Sequence, residues 1–66
     1  MKLNDFLEFC VPDDLIIQII VDMPETDFIG FKDEYLKEYS QADDYRWLFL
    51  KSVDVNSDTL VIFAEV

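Results

Sequence analysis

The pattern in this chain that comes nearest to a chemical site is DVNSDTLVIFAE, residues 54 to 65. Asp54, Asn56, Asp58 and Glu65 stand at positions one, three, five and twelve of the calcium-binding EF-hand loop, a spacing that lets oxygen donors wrap one hard cation. Thr59, however, holds the sixth position, where the sharp turn calls for glycine, and only Val66 follows Glu65 where an exit helix would begin. Asn, Ser and Asp also favour turns by bonding their own backbone, so the stretch reads as a hairpin turn, and no metal or other cofactor is expected.

Catalytic chemistry is thinly supplied elsewhere. General acid-base work leans on histidine, and the chain has none. A carboxylate pair of the glycosidase kind can be drawn from fifteen acids, but a domain this small leaves little room for a substrate cleft. Ser40, Ser52 and Ser57 have no basic partner in a recognisable arrangement, and Gly30, the one glycine, cannot build a phosphate-cradling loop. A protein that is not an enzyme is the expectation.

What remains is charge. Fifteen acids against five bases give a net charge of -10, more than the magnitude of about 2 to 8 that suffices for solubility. Such a field disfavours direct contact with nucleic acid or anionic lipid and favours a basic protein surface. Duplex DNA carries one charge per about 1.7 Å of axis, so a protein imitating it needs carboxylates in rows on a rigid element. FKDEYLKEYSQADDYRW, residues 31 to 47, complies in part: Glu34 and Glu38 lie one helical turn apart and Asp43 and Asp44 follow. Asp22, Glu25 and Asp27 of DMPETD offer a second cluster, while Lys32, Lys37 and Arg46 interrupt the first. The plainer account of the same residues is a solvated helix face. Tyr45 and Trp47 fall on one side of an expected strand, with Trp47 a candidate exposed anchor of the kind that dominates interfaces.

These side chains must be positioned by short elements. Leu3, Phe6, Leu7 and Cys10 recur at i, i+3, i+4 and i+7, which predicts a helix that Asn4 can cap and Pro12 stops. Leu15 to Val21 is too continuously apolar for a one-sided strand and reads as a central strand covered on both faces. Gln18 is its one polar interruption, expected at a rim with its amide satisfied. DFIGF pairs back on it across DMPETD. From Lys32 the pattern is helical, with Phe31, Tyr35, Leu36 and Tyr39 as the stripe facing a sheet and Asp33 and Lys37 as an i, i+4 ion pair. YRWLFLKSVDV and TLVIFAEV then form a hairpin, with Leu60, Ile62, Ala64 and Val66 on one side and Val61, Phe63 and Glu65 on the other. Cys10 is the sole cysteine, so no internal disulfide can form. It reads as a small buried residue of a protein in the reduced cytoplasm, and LIIQIIV is too short to cross a membrane.

The expected fold is α+β, one domain over residues 1 to 66, ordered helix, hairpin, helix, hairpin, with two short helices on one face of a small, mostly antiparallel sheet. MKLNDFLEF leading through VPDD into an apolar strand, together with the C-terminal VDVNSDTLVIFAEV, resembles the small acidic α+β proteins encoded by phages and mobile elements of Gram-positive bacteria. That group includes anti-CRISPR and anti-restriction inhibitors, some of them acidic DNA mimics. The resemblance implies a stoichiometric binder of a nucleic-acid-binding host defence enzyme, acting in the host cell cytoplasm, and carries no particular residue across. The competing expectation is an interaction module or homodimer that uses a sheet edge or an apolar patch, its acids serving solubility alone.

Overall fold

Leu3 and Leu7, one helical turn apart, are fully buried, and with Val11 they anchor the first element to the core. The computed structural model describes residues 1–66. It contains α1 (Leu3–Cys10), β1 (Ile16–Ile20), β2 (Phe28–Phe31), α2 (Lys32–Glu38), β3 (Phe49–Asn56) and β4 (Thr59–Glu65). The fold is α+β: two helices and a four-stranded sheet ordered β2-β1-β4-β3.

The sheet is mixed and mostly antiparallel. β1 pairs antiparallel with β2, β3 pairs antiparallel with β4, and the central pair β1 and β4 runs parallel. Parallelism at the centre makes the edge strands β2 and β3 parallel to each other as well. A chain leaving β2 must therefore travel back along the sheet before it can enter β3, which is the crossover that a helix supplies. That crossover is α2 and the turn after it.

Register assigns the faces. Ile17 lies beside Leu60 and Ile19 beside Ile62, with Gly30 and Phe28 opposite them on β2. Ile17, Ile19, Ile62, Ala64 and Phe28 form one core with Leu3, Leu7, Val11 and Leu48 and with Tyr35 of α2, so the helices pack on this face. Tyr35 is fully buried within a ring cluster of Phe28, Tyr39 and Tyr45 whose centroids lie 5.2 to 6.1 Å apart. Edge-on contacts of this kind add to area burial, which matters in a chain short of core.

Several expectations are corrected. β1 is central, but only one of its faces is covered; Ile16 on the other is 37% exposed. Two helices of eight and seven residues suffice for one face and leave none for the other. Phe31 turns to that uncovered face and is 45% exposed, because it belongs to β2 and not to the stripe of α2. Lys2 occupies the N-cap of α1, while Asn4 sits inside the helix and donates Nδ2–H to the Ser40 carbonyl at 3.4 Å. Cys10 is exposed. Asp33 and Lys37 form no ion pair; those present join Lys32 to Asp13 at 3.2 Å and Arg46 to Asp43 at 3.9 Å. Tyr45 and Trp47 precede β3 in a tight turn, where Tyr45 and Arg46 both donate to the Ala42 carbonyl.

Candidate functional site

The acids singled out in the sequence come from three places. Asp22, Glu25 and Asp27 lie in the β1–β2 connection, where the Glu25 N–H donates to the Asp22 carbonyl and the Asp27 N–H reaches back to Ile19. Glu34 and Glu38 are exposed on α2, and Asp43 and Asp44 are exposed in the turn that follows. Asp22 and Glu25 are exposed as well, whereas Asp27 is half-buried.

Two of these groups are drawn together through Tyr45. Burial pushes the Tyr45 phenol upward, and the carboxylates of Asp27 and then Asp44 push it further, so both lie within electrostatic reach of one hydroxyl. Asp27 acts on the Tyr35 phenol too, after burial and Tyr45. The ring cluster that joins Phe28, next to Asp27, to Tyr45, next to Asp44, links the start of β2 to the turn after α2. Glu34 bends the other way, its Oε1 passing 3.7 Å from the place a side chain on Gly30 would occupy.

The cations do little to neutralise this field. Lys32 is buried and turns inward beneath α1, where it donates to the Val11 and Glu8 carbonyls and to Asp13. Lys2 and Arg46 gather at Trp47, lying 5.5 Å and 5.2 Å from its ring, while Trp47 stays 55% exposed. Lys37 and Lys51 have no ion-pair partner. Lys37 lies one turn from Glu34 and directly before Glu38 in the chain, so it interrupts the acidic row on α2.

Two open depressions mark the surface, the first with the exposed Cys10 thiol on its wall. The first lies over Lys32, whose three N–H bonds are already taken; the other brings Trp47, Lys2 and Arg46 beside Asp5 and Glu8, a mixture of charges without a nucleophile. The calcium-like spacing dissolves on folding. Asn56 pairs with Thr59 across a turn in which Ser57 adopts φ 58°, and Asp54 lies opposite Val61. Glu65 is four residues further along β4, about 13 Å at the rise of a strand, so Asp54 and Glu65 cannot share an ion. Asp54 instead accepts the Val55 N–H at 2.8 Å. No three His, Cys, Asp or Glu side chains converge as a metal site, and no helix is long and apolar enough to cross a membrane.

Sequence reasoning missed the sheet face that no helix covers, where Ile16, Ile20, Ile29, Phe31 and Phe63, with a buried Val61, surround Gln18. Gln18 sits mid-sheet, not at a rim, and donates Nε2–H to Thr26 Oγ at 2.7 Å. The available signal was arithmetic: two short helices cannot cover both sides of four strands. No family model matches this chain, and no curated protein or solved structure matches it either.

Proposed function

We propose that this chain is an acidic binding protein that acts by covering a basic protein surface and catalyses no reaction. The observation that supports this most is the scarcity of internal compensation: of fifteen acidic side chains only Asp13 and Asp43 form ion pairs, against a net charge of -10. Unpaired surface carboxylates steer a basic partner into contact and repel acidic ones. In this reading Asp22, Glu25, Asp27, Asp43 and Asp44 supply the contact, Glu34 and Glu38 extend it along α2, and Trp47, though flanked by Lys2 and Arg46, is the aromatic anchor. In its finer form the reading is a DNA mimic: an inhibitor of the phage-encoded, anti-CRISPR or anti-restriction kind that fills the nucleic-acid channel of a host defence enzyme in the cytoplasm. The element order is read in the same frame as two halves of helix plus hairpin, the second helix carrying the acidic row.

The full chain is immobilised, exposed to a bacterial lysate and eluted with stepped salt. Nucleic-acid-binding proteins are expected in the salt-sensitive fraction. A variant carrying Glu34→Gln, Glu38→Gln, Asp43→Asn and Asp44→Asn should bind them on the order of tenfold more weakly, since four exposed charge pairs contribute a few tenths of a kcal/mol or more each. Affinity that ignores both salt and these substitutions overturns the proposal.

A further inference from the structure

An exposed sheet face ordinarily alternates with the core and is polar. Here the side of β2, β1 and β4 away from the helices carries Phe31 beside Ile16, Ile29 beside Gln18 and Val61, and Ile20 beside Phe63, with Ile16, Ile29 and Phe31 exposed, Ile20 and Phe63 half-buried and Val61 buried among its neighbours. Ile29 is 61% exposed, and no element of the chain lies over the face. The patch spans three strands, about 10 Å across, and four residue steps, about 13 Å along. Those are the diameter of one helix with its side chains and the length of two to three turns. A contiguous apolar patch of this kind, rimmed by polar groups, marks an interaction site.

The rim decides the occupant. Because β1 and β4 run parallel, Asp22, Glu25 and Glu65 lie at one end of the strands and Asp14 and Asp58 at the other. Asp54, with Ser52 and Asn56, borders the patch on β3. None of these acids forms an ion pair, and the one lysine in the four strands, Lys51, sits at the irregularity of the edge strand β3, away from β1 and β2. A second copy laid face to face would set these acidic rims against each other, two chains of -10 apiece. Strand addition is a poorer fit: β2 offers an edge of only four residues, Met1 and Lys2 occupy the start of the β3 edge, and the irregularity between Leu50 and Ser52 interrupts it.

We propose that this face is the docking surface for an amphipathic helix of a partner protein, its apolar stripe seated on Ile16, Ile20, Ile29, Phe31 and Phe63 and its Lys or Arg residues at both ends of that stripe. The inference goes beyond the acidic reading and shares only Asp22 and Glu25 with it, because Glu34, Glu38, Asp43 and Asp44 lie on α2 and the turn after it, across the sheet from this patch.

A synthetic helical peptide with leucines at i, i+3, i+4 and i+7 and lysines at both ends is titrated into the isotope-labelled full chain and followed by NMR. Amide shifts should move in Ile16–Ile20 and Phe28–Phe31, and replacing the peptide's leucines with glutamine should abolish the effect. Ile29→Gln and Phe31→Gln, each at an exposed site, should separately weaken binding about tenfold, while the α2 and turn variant of the preceding subsection should leave the leucine dependence intact. Shifts confined to the helix side, or binding that survives both sheet-face substitutions, would overturn the proposal. So would equal binding of a peptide with glutamates in place of the lysines, or concentration-dependent dimerisation of the free chain through the same amides.

Discussion

Tyr35 carries the sharpest conflict at the scale of a single residue. Its ring is fully buried at the centre of the aromatic cluster, yet its hydroxyl has no hydrogen-bond partner. A buried polar group without a partner forfeits its hydration, at a cost of about 1 to 3 kcal/mol. Tyr35→Phe keeps the ring contacts and removes that penalty, so thermal denaturation at neutral pH should show a variant more stable by about 1 kcal/mol. A loss of stability would mean that the hydroxyl is bonded after all. The same residue sets the alkaline limit. Burial, then Tyr45 and Asp27, push its phenol above the ordinary value, and Tyr45 is raised by burial, Asp27, Asp44 and Tyr39. In the unfolded chain both titrate near about 10, so above that pH the folded state holds more protons than the unfolded one. Their contribution is therefore complete below about pH 10 and is lost as pH rises through the folded-state values. Melting temperature should fall steeply with alkaline pH, in step with phenolate absorbance, and less steeply in Tyr35→Phe.

At the scale of elements, one side chain ties the two helices together. α1 ends where Val11 turns extended, leaving its last carbonyls without intrahelical donors. Lys32, at the start of α2, reaches beneath α1 to donate to the Glu8 and Val11 carbonyls and pairs with Asp13. Lys32→Met preserves the buried stem and removes the donors, so unfolding should become easier by about 2 kcal/mol in a urea titration with an unchanged slope. A change within a few tenths would show that water replaces the amine. Nothing in FKDEY announces this role, since a lysine among acids reads as surface charge. β4 was legible as a strand because TLVIF is a β-branched and aromatic run after a turn, and the alternation put Ile62 and Ala64 together on the side that meets the helices. IIQII was half legible: an apolar run gives a strand but is the same whether one face or both are covered, and coverage depends on elements elsewhere. YRWLF misled because aromatic residues favour strands, whereas Tyr45 is drawn into the ring cluster by a turn at Ala42. Among the acids, exposure could be read from composition. That Asp27 and Asp44 both act on the Tyr45 phenol could not, because it depends on a tyrosine packed between segments far apart in the chain.

At the scale of the whole molecule, charge and size together set a further measurable property. The radius of gyration is 10.5 Å. That is close to the Debye length of about 10 Å at 0.1 M ionic strength, so in dilute buffer most of the carboxylates feel one another across the fold. With a net charge of -10, the compact state is opposed by self-repulsion that the expanded chain relieves. A domain of this size buries only about 60% of the surface its unfolded chain exposes, so its margin is narrow and the repulsion is a sizeable part of it. Salt should therefore stabilise this protein. Between about 0.01 M and 1 M ionic strength the Debye length shrinks from about 30 Å to 3 Å, and the thermal midpoint should climb across that range. The two ion pairs would be weakened by the same screening, but Arg46 and Asp43 are exposed and contribute little, and the Lys32 amine is sheltered. Neutralising Glu34, Glu38, Asp43 and Asp44 should raise the midpoint in dilute buffer and flatten its salt dependence. A midpoint that stays level or falls with salt in the unmodified chain would show that the carboxylates are too dispersed to act as one field, and would count equally against the proposed engagement of a basic surface.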